Sequence, residues 1–503
     1  MYQRFKKLFS ESSIYTVGNF LLRSFSVVTM PVFTRCMPAT QYGILAVVRT
    51  VRELGNVVYE TGTSSSSMRF YYDCKDSEEE MKRLFSSLFF FTTAFGIVCS
   101  LILMVFGNIF WSRILKDIPF HPYGSLTIFT LLMTSVGILP RTIFRAEGQA
   151  RRFVVINLLQ ALFIILMSIV LVVVFDMGAL GPIAATLSAS IIFYGVFLYY
   201  LKPYLSLSFS WKIVRQCLAF GLPDSPVRFG NWALKMANQL ILQYYMPLAV
   251  VAIYSVGYSV GSIFFEMVIS GIHWAVLPFY YETAKGEKES RAKEIFAYVA
   301  TYNFILICFL AMFTILMGGI LLMVFASSRY ASAQPVVEII AFSSIFQFLF
   351  FIPSRGLYVM KKTKYMPPLL LITVAVNLAL CLLLIPRYGV LGAAWATLIA
   401  YAVRSGLTLW ISQRIYPVPY QYFRMGKALI AFIILLAAGS GLSGFPILVE
   451  IPIKLVLLTL FPVLLFLMGF FEEQELVRLQ LQTRSLSRRL LMFLPGHGTG
   501  SPS

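Results

Sequence analysis

Long apolar runs recur along the whole chain and alternate with short polar segments. Most of them approach the length of about 20 apolar residues that a membrane-spanning helix requires. The pattern predicts an all-α integral membrane protein with about fourteen transmembrane helices and no soluble domain of useful size. We number these helices span 1 to span 14, and they cover residues 13–34, 41–63, 84–107, 122–142, 153–175, 179–200, 216–242, 248–273, 297–323, 334–354, 367–385, 389–412, 427–446 and 452–471.

Basic residues fall mostly on one side of this predicted array. The N-terminal segment and the ends and loops that follow even-numbered spans hold 29 of the 41 basic residues, Arg69, Arg141, Arg151 and Lys361 among them. The opposite loops hold six. Because cytoplasmic loops of membrane proteins are rich in Lys and Arg, this asymmetry places both termini in the cytoplasm.

The composition agrees with a membrane protein and excludes several other classes. The chain is 58% hydrophobic and 13% charged, and its net charge of +19 follows from basic cytoplasmic loops rather than from nucleic-acid binding. The six cysteines are scattered without metal-ligand spacing, and no GxxxxGK[ST] motif occurs. We expect no cofactor, no metal site and no ATPase, and the absence of a large outer loop argues against an enzyme.

The chain also repeats itself at an offset of about 210 residues. The matching segments are GNFLLR (18–23) with GNWALK (230–235), Met37-Pro38 with Met246-Pro247, and GALGPIAATL (178–187) with GVLGAAWATL (389–398). Six spans per repeat is an even number, so the repeats are parallel lobes related by a pseudo-twofold axis along the membrane normal. The predicted organisation is an N-lobe at 1–205, a C-lobe at 206–415, spans 13 and 14 within 416–471, and a cytoplasmic tail at 472–503.

Six basic residues lie inside predicted spans, where each costs about 2.5–3.5 kcal/mol at a helix centre unless it faces water, a counter-charge or an anion. They are Arg23, Arg49, Arg52, Arg228, Lys235 and Arg404. Five of them belong to polar stripes at helical spacing on spans 1, 2, 7 and 8, which by the pseudo-symmetry face one another around a hydrated, cationic cavity. Spans 5, 6 and 11 carry almost no charge and are interpreted as scaffold or lipid-facing helices.

A cationic cavity suits a phosphate or pyrophosphate group, which guanidinium binds bidentately. The predicted substrate-binding residues are Arg23, Lys235, Arg52, Arg49, Arg228, Asn19 and Asn231. The candidates for ion or proton coupling are Glu53, Glu60, Asp224, Glu266 and His273.

Spacing leaves alternatives open for several of these residues. The pairs Arg49–Glu53 and Asp224–Arg228 are four residues apart, so they fit structural ion pairs as well as binding roles. Lys235, like Arg23, has no carboxylate three or four residues away, which favours a functional role. Glu266 and His273 fit either proton transfer or a satisfied interior hydrogen bond, and Arg404 is expected to snorkel to the cytoplasmic surface.

Several diffuse motifs resemble one transporter family. The segments FTRCMPATQYGILAVV (33–48), SSSSMRFYY (64–72), GLYVMKKTKY (356–365) and IPRYGVLGAAWATLIAY (385–401) are similar to polysaccharide flippases of the O-antigen type in the MOP exporter superfamily. The resemblance covers about residues 1–415, and the count of fourteen spans agrees with it.

The resemblance implies a two-lobed fold like that of MATE and other MOP transporters. It also implies a protein of the bacterial cytoplasmic membrane that flips a polyprenyl-pyrophosphate-linked oligosaccharide by alternating access, driven by an ion or by membrane potential. Related lipid II flippases use cavity arginines from helices 1, 2 and 8. Arg23 and Arg52 match the first two positions, and Lys235 and Arg228 of span 7 stand in for the third. In those relatives, helices 13 and 14 form a groove for the lipid tail.

The function predicted on these grounds is a flippase for O-antigen, capsule or exopolysaccharide assembly. Its expected partners are the lipid-linked substrate, membrane lipids and polysaccharide polymerase or assembly proteins. The alternative is a cation-coupled drug or metabolite exporter of the same superfamily. The four striped spans carry only slightly more basic than acidic residues, so their charge discriminates only weakly between the two functions.

Overall fold

The computed structural model describes residues 18, 21–22, 28–441, 446–472 and 475, with the side chains of 269–278 and 447 outside the description. Every regular element in these residues is helical. The helices are α1 (28–36), α2 (Ala39–Glu60), α3 (Thr63–Cys74), α4 (Glu78–Ile114), α5 (Phe120–Val136), α6 (Ile138–Ala146), α7 (Ala150–Ile169), α8 (Leu180–Leu201), α9 (Trp211–Gly221), α10 (Ser225–Trp232), α11 (Asn238–Tyr245), α12 (Leu248–Gly286), α13 (Glu289–Leu316), α14 (Gly318–Phe325), α15 (Gln334–Val359), α16 (Met366–Ile415), α17 (Tyr422–Ser440) and α18 (Ile447–Leu467). Two π-helical turns, Val170–Val174 and Ala233–Ala237, interrupt spans 5 and 7.

Ten stretches of the described chain are long and apolar enough to cross a membrane. One of them, Thr363–Ile415, contains predicted spans 11 and 12 and breaks at Gly389, where φ is +55°. Helix α2 and the segment α9–α11 occupy predicted spans 2 and 7 but are too polar to count among the ten. The protein is therefore a multi-pass helical membrane protein, while the total of fourteen spans stays a prediction.

Two predicted boundaries differ from the observed helices because of local turn chemistry. Span 13 is predicted to end at residue 446, but α17 ends at Ser440 and α18 begins directly after Pro446. The fixed φ of proline suits a position just before the first helical turn and not the end of a helix. Span 9 is predicted to be one helix that ends at residue 323, whereas α13 ends at Leu316 and α14 follows as a separate short helix.

Equivalent positions of the sequence repeat have nearly equal backbone conformations. Pro38 before α2 has φ −58° and ψ 151°, and Pro247 before α12 has φ −59° and ψ 152°. Gly178 and its repeat partner Gly389 both have positive φ, at +52° and +55°. Only glycine adopts such values at no steric cost, so both are turn residues.

The two halves of the chain meet along α2 and α12. A Cβ built on Gly43 would lie 2.1 Å from the carbonyl oxygen of Leu248, so the helices cross at backbone contact near their N-termini. At the other end of α2, a Cβ on Gly62 would lie 2.2 Å from the carbonyl carbon of Gly221. These two crossings hold spans 2, 7 and 8 side by side.

Candidate functional site

A cavity of about 930 Å³ lies between the two halves of the chain. Its walls come from α1, α2, α5 to α8, the π-turn Ala233–Ala237 with α11, and α12. Among the described residues, its charged lining consists of Arg49, Arg52, Arg141, Lys235, Glu60 and Glu266. Spans 2, 7 and 8 thus face one cavity, as predicted, and four basic side chains line it against two acidic ones.

The charges on α2 pair differently from the prediction. Arg52 Nη2 lies 3.3 Å from Glu53 Oε1, and Asn56 Nδ2 donates to the other carboxylate oxygen at 3.4 Å. The alternative of a structural Arg49–Glu53 pair is therefore not observed, because the adjacent Arg52 takes the carboxylate. Arg49 is exposed, lines the cavity and makes no hydrogen bond or ion pair within the described part of the chain.

Lys235 has a counter-ion that spacing along its own helix could not show. Its Nζ lies 3.3 Å from Glu266 Oε1 on the neighbouring helix α12. Both side chains line the cavity. The two residues, one predicted to bind substrate and the other to couple transport, thus form an ion pair.

Arg228 is held by carboxylates on two helices. Its Nε donates to Asp224 Oδ2 at 2.9 Å, and its Nη1 pairs with Glu60 on α2. Arg228 and Asp224 do not line the cavity described above, nor do Glu53 and Asn231. The Asp224–Arg228 pair therefore exists as predicted, and it joins the two halves of the chain through Glu60.

The π-turn Ala233–Ala237 changes which side chains of span 7 share a face. A π-turn inserts an extra residue, so positions before and after it lose the constant four-residue spacing of the predicted stripe. Gln239 follows the turn, lines the cavity and accepts from Thr50 Oγ1 at 2.6 Å. Asn238 instead lies buried, donating to Tyr254 Oη at 3.1 Å and Thr397 Oγ1 at 2.8 Å.

Arg141 lines the cavity, although its position near a helix end predicts a basic residue at the cytoplasmic surface. It lies on α6, where its Nε donates to Asn157 Oδ1 at 3.1 Å and its Nη2 donates to Gln160 Oε1 at 2.8 Å. Both partners lie on α7, the predicted span 5. The two amides, three residues apart in an apolar run, were the signal that could have identified this site.

The interpretation of spans 5 and 6 as scaffold or lipid-facing helices is therefore incomplete. Gln160 and Ser168 on α7, and Thr186 and Ser190 on α8, line the cavity. Hydroxyls on α5 extend this polar wall, at Thr127, Thr130, Thr134 and Ser135. Uncharged polar residues are tolerated in apolar helices more readily than charges, so they form weaker stripes in a sequence.

Three predicted site residues cannot be placed. Arg23 and Asn19 lie outside the described residues, as does the side chain of His273.

Arg404, expected to snorkel, stacks over Phe350 on α15 with its guanidinium carbon 3.7 Å from the ring centroid. It is thus packed against a neighbouring helix instead.

Comparisons of the sequence find one family and one distant relative. The sequence model of a family described as "Polysaccharide biosynthesis protein" matches residues 32–335. An "Uncharacterized membrane protein MJ1068" of Methanocaldococcus jannaschii is 24% identical over 219 residues, which span 41% of this chain and 41% of that protein. The match to this relative therefore covers less than half of its length.

Solved structures share the whole fold at low sequence identity. A "Lipid II flippase MurJ" in an inward closed conformation superposes with a TM-score of 0.69 and 15% identity, over 89% of this chain and 97% of that one. An inward-facing MATE multidrug resistance transporter of the MOP superfamily gives 0.63 and 13%, over 80% and 94%. The MATE multidrug transporter DinF-BH gives 0.57 and 19%, over 82% and 96%.

Proposed function

Because the chain belongs to the polysaccharide biosynthesis protein family, we propose that it moves a polyprenyl-pyrophosphate-linked oligosaccharide from the inner to the outer leaflet of the cytoplasmic membrane. The observation that carries the proposal is the group of Arg49, Arg52 and Lys235 on the described cavity lining, where they outnumber the two acidic side chains. A pyrophosphate is an anion that Arg and Lys bind by charge-assisted hydrogen bonds. The fold shared with a lipid II flippase supports the same substrate class.

Arg49, Arg52 and Lys235 supply the cationic side of this proposed site. Arg49 has no ion pair within the described chain, and Arg52 and Lys235 each have one carboxylate neighbour, so their remaining donors are available to an anion. Arg23 and Asn19 of span 1 are proposed to complete the site, as the repeat match of GNFLLR with GNWALK suggests. Glu60 and Glu266 remain the proposed coupling residues inside the cavity.

The proposal extends to the cellular setting. The termini lie in the cytoplasm, the lobes rock between inward- and outward-open states, and the flipped lipid passes to polysaccharide polymerase or assembly proteins. The units are an N-lobe at 1–205 and a C-lobe at 206–415, with 416–471 beside them. The groove for the lipid tail is proposed along α17 and α18, which carry exposed apolar residues such as Ile433, Val456 and Leu467.

The test is flipping of a fluorescent polyprenyl-pyrophosphate disaccharide by the purified chain in proteoliposomes. We expect flipping by the wild type and a loss of at least tenfold in Lys235→Ala, because a lysine that contacts the pyrophosphate supplies a charge-assisted bond. Lys235→Arg keeps the charge and is expected to retain most activity. Lys212→Ala, at an exposed lysine outside the cavity, serves as the matched control.

The same variants decide the question in cells. Lys235→Ala is expected to abolish surface glycan at unchanged abundance in the membrane, and Arg23→Ala is expected to behave alike. Full complementation by both variants would contradict the anion site. If the wild type fails to flip the lipid and instead expels an organic cation, the exporter alternative replaces the proposed function.

A further inference from the structure

Within the described residues, the guanidinium of Arg141 is held in the cavity wall by neutral groups alone. Asn157 and Gln160 accept from its Nε and Nη2, and its guanidinium carbon lies 4.4 Å from the ring centroid of Phe197. Asn157 Nδ2 donates to the carbonyl of Phe153 at 2.6 Å, which fixes the amide so that its oxygen faces Arg141. Because amides and rings carry no net charge, Arg141 keeps its full positive charge.

The partners of Arg141 differ in charge from the partners of Arg52 and Lys235. Arg52 has Glu53 and Lys235 has Glu266, so each already faces a carboxylate. Within the described chain, Arg141 has no carboxylate partner and its Nη1 has no hydrogen bond. A half-buried cation with an unused donor can make a charge-assisted hydrogen bond to an anion that enters the cavity.

Gly137 provides the space for this guanidinium. A Cβ built on Gly137 would lie 2.8 Å from Arg141 Nη1 and 3.0 Å from the Phe197 ring. The arginine side chain therefore folds back along its own helix into a gap that a larger residue would fill. The gap holds Nη1 beside Gly137 and Phe197, on a side chain that lines the cavity.

The wall beside Arg141 is chemically suited to sugar hydroxyls. Thr127, Thr130 and Thr134 donate their hydroxyl hydrogens to backbone carbonyls one turn earlier, at 2.7, 2.8 and 2.9 Å. Thr186 and Ser190 on α8 do the same at 2.7 and 2.8 Å. A hydroxyl that has committed its hydrogen can only accept from a ligand, so this wall offers acceptors to groups that donate.

Arg141 reaches the cavity from other helices than the proposed pyrophosphate site. It lies on α6 with partners on α7 and α8, whereas Arg49 and Arg52 lie on α2 and Lys235 lies in the π-turn of span 7. At about 30 Å³ per water molecule, the cavity volume of about 930 Å³ corresponds to roughly 30 water molecules. A pyrophosphate group, with two phosphorus and seven oxygen atoms, fills only part of that volume. The volume leaves room for the sugar part of a substrate against the hydroxyl wall.

Building on the proposed function, we propose that Arg141 binds an anionic group carried on the sugar part of the lipid-linked substrate, such as the carboxylate of a uronic acid. The substrate is then an acidic oligosaccharide with two separate anionic points. Its pyrophosphate lies between α2 and Lys235, and its acidic sugar lies between Arg141 and the hydroxyl wall.

The test compares two probes with the purified full-length chain in nanodiscs. One probe is a polyprenyl-pyrophosphate-linked neutral disaccharide, and the other is the same lipid with one hydroxymethyl group oxidised to a carboxylate. We expect the wild type to bind the acidic probe at least tenfold more tightly. Arg141→Gln is expected to remove this preference while leaving affinity for the neutral probe within about twofold.

Further variants separate a binding role from a structural one. Arg141→Lys keeps the charge but loses the planar fork, so part of the preference should remain. Gly137→Ala keeps the arginine but displaces Nη1, so the preference should fall without loss of binding to the neutral probe. Arg145→Gln removes the same charge one turn away, outside the cavity lining, and should keep the full preference.

The possible failures are distinguishable. Equal affinity of the wild type for both probes overturns the role of Arg141 alone. An equal loss for both probes in Arg141→Gln means that Arg141 contacts the pyrophosphate, which also overturns the assignment. Binding of neither probe by the wild type overturns the proposed function, and the role of Arg141 fails with it.

Discussion

Lys235 and Arg141 illustrate two ways of keeping a cation in a membrane cavity. Lys235 faces the carboxylate of Glu266 at 3.3 Å, so an incoming anion competes with a resident one. Arg141 is held by amide oxygens and an aromatic ring, so an incoming anion meets no competitor there. The two residues therefore differ in how their affinity for an anion responds to removal of a neighbour.

Neutralising Glu266 should strengthen anion binding at Lys235. In Glu266→Gln the competing charge is gone, and because such partly exposed pairs are worth about 0.2–1 kcal/mol, the gain in affinity is about 1.4- to fivefold. The measurement is binding of the neutral polyprenyl-pyrophosphate probe in nanodiscs. Glu294→Gln, at an exposed glutamate on α13, is the control; unchanged or weaker binding by Glu266→Gln would show that the pair does not compete with substrate.

Helical spacing identified most of the charged lining but not its pairing. Arg49, Arg52 and Lys235 were all assigned to the cavity from stripes in the sequence, and all of them line it. Whether Glu53 pairs with Arg49 or with Arg52 depends on side-chain rotamers, which spacing does not determine. Arg141 was missed because a basic residue near a helix end has a ready explanation in the positive-inside rule.

At the scale of elements, the π-turn of span 7 decides which predicted residues reach the cavity. Lys235 lies within the turn and Gln239 follows it, and both line the cavity, whereas Asn238 is buried among α12 and α16. A stripe drawn with constant 3.6-residue periodicity cannot anticipate this change of phase. The sequence has no proline or pair of glycines at Ala233–Ala237 from which the π-turn could be predicted.

The repeat-related glycines Gly178 and Gly389 should both be needed for stability. An L side chain at positive φ costs about 1–2 kcal/mol, so Gly178→Ala and Gly389→Ala should each lower the unfolding temperature of the purified protein. Gly178→Ala should be the worse of the two, because its Cβ would lie 3.0 Å from Gln41 Oε1 while that of Gly389 has 3.7 Å to Met246.

The helix interior supplies a matched control for this comparison. Gly195 lies in α8 with open space around its Cβ position, so Gly195→Ala should be neutral or slightly stabilising, since alanine favours helix more than glycine does. Thermal unfolding in detergent, followed by tryptophan fluorescence, measures all three. A loss in Gly195→Ala equal to that in Gly178→Ala would contradict the role assigned to positive φ.

At the scale of the whole molecule, the sequence predicted the architecture more reliably than its details. The apolar runs and the motifs predicted an all-helical membrane fold of the MOP type, and the family match and shared folds confirm that resemblance. The ends of spans 9 and 13 were wrong because hydropathy changes gradually where Gly318 or Pro446 sets a sharp boundary. The pair of Glu60 with Arg228 joins two distant parts of the sequence, so neither local segment predicts it alone.

The charge of the cavity should make transport sensitive to voltage. Four basic and two acidic side chains leave the described lining with a net positive charge, and moving one elementary charge through 100 mV is worth about 2.3 kcal/mol. We expect multiple-turnover flipping in proteoliposomes to accelerate when a potassium diffusion potential makes the cytoplasmic side negative. Arg141→Gln should weaken this acceleration, whereas Arg145→Gln should not; flipping that ignores the potential in the wild type would refute the expectation.

The uncompensated guanidinium of Arg141 then has an electrical consequence. Under the proposed function, a bound anionic lipid would offset the positive lining, so the loaded cavity would reorient with little net movement of charge. After release of the lipid, the empty cavity would carry its positive charge back towards the cytoplasmic side, down the electrical gradient. The membrane potential would then drive the return of the empty transporter.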